Sequence, residues 1–127
     1  MSETPKPKVG TIAWTDLTIP NADEVRDFYA AVTGWKPQDV SMGEYNDYVM
    51  ATPEGTGVAG VCHARGTNAG LPPQWLIYIT VEDVDRAAAE CNANGGSIIK
   101  GPLAMSGGRI CVIRDPAGAV CALFQSA

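Results

Sequence analysis

Asp16 and Tyr78 are the two side chains whose types and spacing best suit chemistry. They stand 62 positions apart, on the apolar, strand-like segments TIAWTDLTI (11–19) and QWLIYITV (74–81). A tyrosine hydroxyl donating to a carboxylate satisfies both groups in an apolar setting. Three roles are open to such a pair: a structural hydrogen bond, an anchor for a ligand's hydroxyl or amine, or a general acid/base couple.

Other reactive types offer less. The chain has one histidine, His63, so neither a two-histidine iron site nor a histidine-rich zinc site can be assembled from it. His63 lies near a strand end, on the face shared by Ala59 and Val61, where a solvated or hydrogen-bonded role is the simplest and a place at a ligand site's rim the alternative. The four cysteines (Cys62, Cys91, Cys111, Cys121) never stand two or three apart and sit in apolar surroundings, as small buried hydrophobes do. Cys62 adjoins His63, but neighbours on a strand point to opposite faces. Arg109 follows MSGG and reads as a loop residue, either solvated or able to meet an anionic ligand.

The chain of 127 residues carries a formal charge of −5 with scattered basic residues, which excludes a nucleic-acid footprint. It contains no apolar run of about 18 residues, so no membrane span is expected. The opening MSETPKPKVG lacks an apolar core of the signal-peptide kind and reads as a short frayed tail; a cytoplasmic location is the resulting expectation.

The elements that position Asp16 and Tyr78 come in two copies. TPEGTGVAGV (52–61) and DPAGAVCALF (115–124) share Pro and Gly at an offset of 63, and upstream the offset is 62, pairing Ile19 with Val81 and Gly34 with Gly96. Asn21 followed by Glu24 predicts a capping box, Val25, Phe28, Tyr29 and Val32 an apolar helical stripe, and Gly34 a left-handed stop. A second helix is predicted from near Asp83 to Gly95-Gly96. Alternation puts Leu17 and Ile19 on one side of the first strand, Trp14 and Asp16 on the other. In the later strand it sends Ile77, Ile79 and Val81 towards the helix, and Leu76, Tyr78 and Thr80 away. NDYVMA with GVAGVCHA, and RICVIR with AVCALFQ, predict hairpins around the two Pro-Gly turns. The sum is an α+β domain of two βαβββ modules, about 8–66 and 74–126, joined by a linker at 66–73.

WTDL leading to DFYAAVTGW (27–35), VEDVD (81–85) and RDPAG (114–118) resemble the glyoxalase / bleomycin-resistance protein / extradiol-dioxygenase (vicinal oxygen chelate) superfamily, over roughly residues 8–126. The resemblance implies paired modules whose cup-shaped mixed sheets hold the ligand, usually in homodimers. In metal-dependent members, His or Gln on each module's first strand and Glu on each last strand surround one divalent ion. The matching positions here are Trp14, Leu76 (Trp75 in a shifted register), Ala59 (or Gly60) and Ala122, none of which is a metal ligand.

The resulting expectation is a metal-free protein that binds a small, partly aromatic organic molecule, with no cofactor. Its ligand-binding residues are expected to be Trp14, Asp16, Tyr48, Met50, Leu76, Tyr78, Ala122 and Phe124, pointing into the cup. The alternative is a glyoxalase-like lyase or an isomerase that uses Asp16 and Tyr78, or an unrecognised metal site.

Overall fold

The computed structural model describes residues 6–127; the expected frayed tail falls partly outside them. In chain order the elements are β1 (Ile12–Ile19), α1 (Ala22–Thr33), β2 (Lys36–Ser41), β3 (Asn46–Ala51), β4 (Gly57–His63), β5 (Trp75–Thr80), α2 (Val84–Ala93), β6 (Ser97–Met105), β7 (Gly108–Arg114) and β8 (Val120–Ser126). A short 3-10 turn, Gly66–Asn68, lies in the expected linker. The order is βαβββ written twice, an α+β fold. Two compact units result. One is Trp14–Trp75; the other combines Leu76–Ala127 with the segment ending at Ala13.

In the first unit the strand order is β2-β3-β4-β1, with β1 parallel to β4 and the other neighbours antiparallel. The β3–β4 connection is the expected Pro-Gly turn, where Gly55 takes φ +98° and donates its N–H to the Thr52 carbonyl. α1 covers one sheet face, packing Ala22, Val25 and Tyr29 against Leu17, Ile19, Tyr48, Met50, Ala59 and Val61.

Two details of α1 depart from expectation. Asn21 makes no side-chain cap; its amide donates to Glu24 Oε2 at 2.9 Å instead of accepting from the backbone. Phe28 and Val32, at the outer edge of the apolar stripe, stay 57% and 64% exposed, so the buried stripe is narrower than the sequence suggested. Gly34 does close the helix in the left-handed conformation, with φ +78°.

In the second unit the order is β5-β8-β7-β6, with β5 parallel to β8. Asp83 caps α2, its Oδ1 accepting from the N–H groups of Asp85 and Arg86. The second Pro-Gly turn is held by Asp115, whose Oδ1 accepts from Ala117 and Ala119 N–H. α2 packs Val84 and Ala88 on Cys111 and Leu123, with Ile79, Val81 and Ile113 around them. Ile79 and Val81 thus face the helix, as alternation predicted.

Candidate ligand-binding site

Alternation along β1 sends Leu17 and Ile19 into the core under α1 and Trp14 and Asp16 to the opposite face of the same sheet. There the Trp14 indole N–H donates to Asp16 Oδ1 at 2.6 Å, a short bond of the charge-assisted kind. Asp16 is in register with Gly60 of the parallel strand β4. A Cβ at Gly60 would stand 2.1 Å from Asp16 Oδ1 and 3.5 Å from Trp14 Nε1, so the carboxylate lies directly over bare backbone. A register shift between Met50 and Ala51 brings a second glycine, Gly57, to this face, where a Cβ would meet Val49 Cγ1 at 2.8 Å and Trp14 Cη2 at 3.9 Å. An indole and a carboxylate on a glycine floor therefore form the most distinctive arrangement of this unit.

Tyr48 and Met50 do not share that face. They pair with Val61 and Ala59 and lie in the core beneath α1, Met50 fully buried. Their expected place among the ligand contacts is corrected: β4 side chains facing the helix select the same side of β3. The Tyr48 hydroxyl donates to Asp23 of α1, and that bond, then burial, pushes its pKa above the ordinary tyrosine value. Arg26 lies over the Tyr48 ring, 4.7 Å from its centroid.

His63 takes the hydrogen-bonded role expected first; the alternative place at a ligand site's rim is not supported, because the face of Ala59 and Val61 is the helix face. Its backbone N–H donates to Asp47 Oδ1 at 2.8 Å, its ring Nδ1 is 3.3 Å from the same oxygen, and Nε2 is 3.5 Å from Asp23 Oδ1. The histidine thus joins the start of α1 to β3 and β4.

Burial pushes the Cys62 thiol far above the usual range, and the charges of Asp16 and Asp47 and a hydrogen bond to Asp47 add to the effect. A thiol held protonated is a poor nucleophile, so Cys62 and His63 form no catalytic couple. Iodoacetamide at pH 8 is expected to label Cys62 only after unfolding; labelling of the folded protein at the rate of free cysteine would contradict this placement.

In the second unit Tyr78 is in register with Ala122 and Thr80 with Phe124. Since Ile79, Val81 and Leu123 face α2, Leu76, Tyr78, Ala122 and Phe124 occupy the opposite face of their sheet, as expected. Leu76, Tyr78 and Ala122 are buried and Phe124 half-buried. Thr80 is buried there too, its hydroxyl lacking a hydrogen-bond partner. The parallel pairs Asp16–Gly60 and Tyr78–Ala122 are both offset by 62, which makes Gly60, and not the core residue Ala59, the counterpart of Ala122. Trp75 is likewise set aside in favour of Leu76: its ring centroid lies 5.2 Å from Tyr29 and 5.9 Å from Trp35, and its indole donates to the Tyr29 hydroxyl at 3.1 Å. Arg109 points to the α2 face and makes a bidentate pair with Asp85, at 2.5 and 3.1 Å, so it is no loop group awaiting an anion.

The four positions that the resemblance links to a divalent ion therefore hold Trp14, Gly60, Leu76 and Ala122. An indole, an alkyl chain, a methyl group and a glycine cannot ligate a cation, and Asp16 already fills the space above Gly60. Among the described residues, no group of three or more His, Cys, Asp or Glu is arranged to hold a metal. The residues present do not fit the metal. No helix of the described residues is long and apolar enough to cross a membrane.

Comparison with known proteins places this geometry in context. CFP32 of Mycobacterium bovis, which carries the name of a glyoxylase, is 33% identical over 120 residues, covering 92% of this chain and 46% of that protein. The anthracycline biosynthesis protein DnrV of Streptomyces peucetius is 30% identical over 129 residues, covering 91% of this chain and 47% of that protein. The chain thus spans about half the length of these relatives. Methylmalonyl-CoA epimerase from Mycobacterium tuberculosis shares the fold with a TM-score of 0.60 at 13% identity, covering 98% of this chain and 93% of that one. The model of the glyoxalase/bleomycin resistance protein/dioxygenase superfamily matches residues 11–123. Two βαβββ modules in this register, together with that match over almost the whole chain, make the protein a member of the glyoxalase/bleomycin resistance protein/dioxygenase superfamily.

Proposed function

We propose that the chain binds a small, partly aromatic organic molecule without a metal ion, with Asp16 as its polar anchor. The observation that carries this reading is the 2.6 Å bond from the Trp14 indole to Asp16 above Gly60. That bond fixes an acceptor beside an aromatic wall, at positions where the family's metal ligands are replaced. Aromatic walls with a few placed polar groups suit small-ligand recognition. Ligand binding to the native state raises its stability, so a thermal-shift screen of aromatic metabolites and antibiotics is expected to give stabilising compounds. For such a compound, Asp16→Asn is expected to lower affinity about 10-fold or more in calorimetry, the effect of losing a charge-assisted hydrogen bond. Unchanged affinity would remove Asp16 from the site. Homodimer formation belongs to the same proposal and is read by light scattering.

A second reading is favoured by the relatives, which include a protein named for a glyoxylase and a solved epimerase. In it, Asp16 and Tyr78 serve as proton-transfer groups of a metal-independent lyase or isomerase. Turnover of a stabilising compound that is lost in Tyr78→Phe, with binding retained, decides for this reading.

A further inference from the structure

We infer that Gly60 and Trp14 are positioning residues for Asp16, with Gly60 acting as the socket that admits the carboxylate. The inference rests on Asp16 as the anchor and adds what sets its orientation. The geometry has three parts. β1 and β4 run parallel with Asp16 directly across from Gly60, so any side chain at position 60 projects from the same face beside Asp16. An added Cβ would lie 2.1 Å from Asp16 Oδ1 and 3.1 Å from its Cγ, well inside van der Waals contact. The oxygen that occupies this space is the one that accepts from Trp14. Even a methyl group at 60 must therefore displace the oxygen engaged by the indole.

Backbone conformation does not account for glycine at this position. Gly60 is not among the glycines with positive φ, and it sits mid-strand, where glycine is ordinarily a weakness. Close approach of the Asp16 carboxylate is the reason the structure offers. A glutamate at this position would likewise bring its Cβ against the Asp16 carboxylate.

The test needs no ligand, which separates it from the proposed function. The three tryptophans give three indole N–H resonances in a 15N–1H correlation spectrum, and Trp14→Phe assigns one of them. Asp16→Ala is expected to shift the Trp14 resonance upfield as its charge-assisted bond is lost, and Gly60→Ala to shift it in the same direction. Adding Gly60→Ala to Asp16→Ala is expected to change the resonance and the melting temperature little further. Should Gly60→Ala alone fail to fold, a folded Asp16→Ala/Gly60→Ala double variant supports the socket. A Trp14 resonance unmoved by Gly60→Ala would overturn the inference. So would equal loss of stability on adding Gly60→Ala with or without Asp16, or a double variant that fails to fold.

Discussion

Replacing Met50 with alanine is expected to destabilise the protein by about 2–5 kcal/mol, the range for large-to-small changes in a packed core. The side chain is fully buried among Leu17, Ile19, Tyr48 and Val61, beneath α1. At this chain length that corresponds to a fall in melting temperature on the order of 10 °C. Met50→Leu, close in volume, is expected to cost less than about 1.5 kcal/mol. Because Met50 belongs to the core, ligand affinity of the folded fraction should be retained. Loss of affinity at unchanged stability would return Met50 to the ligand-facing side.

Asp47→Ala carries the second large effect. The carboxylate is buried and accepts from the His63 backbone N–H at 2.8 Å, with the imidazole Nδ1 3.3 Å away and a hydrogen bond to Cys62. Removing it leaves a partly buried backbone N–H and an imidazole without their acceptor, at a cost of about 1–3 kcal/mol. It also frees the link that passes from β3 through His63 to Asp23 of α1. Asp47→Asn, which keeps an acceptor oxygen, should recover much of the loss. Chemical denaturation of the three proteins measures this; an alanine variant as stable as the parent would contradict the clamp.

Much of the scaffold was legible because its signals are local. Pro53-Glu54-Gly55 and Pro116-Ala117-Gly118 mark turns that the structure forms, Gly34 ends α1, and the period-two pattern of β1 separates Leu17 from Trp14 correctly. The 62-residue offset also survives as two parallel strand pairs in equivalent register.

What the sequence hid depends on partners distant along the chain. β3 buries residues on both faces, so Asn46–Ala51 has no polar side from which to read orientation; only pairing with Ala59 and Val61 turns Tyr48 and Met50 towards the helix. Asp23, Asp47 and His63 are separated by up to 40 positions, and no spacing rule links them. Asn21 shows the reverse case: the residue types of a capping box are present, yet the amide bonds to Glu24 and leaves the backbone alone. Gly60 stood in the sequence only as the alternative to Ala59, and the reason for glycine there, the Asp16 carboxylate above it, lies 44 positions away in the chain.

The central claim is the proposed metal-free binding of a small molecule with Asp16 as its polar anchor. Elemental analysis of protein purified without chelator and then dialysed tests it most directly. The expected result is divalent transition metal well below one-tenth of an equivalent per chain, unchanged after incubation with zinc, manganese, nickel or cobalt salts and removal of the excess. A content near one ion per chain, lost on substitution of Asp16, would contradict it.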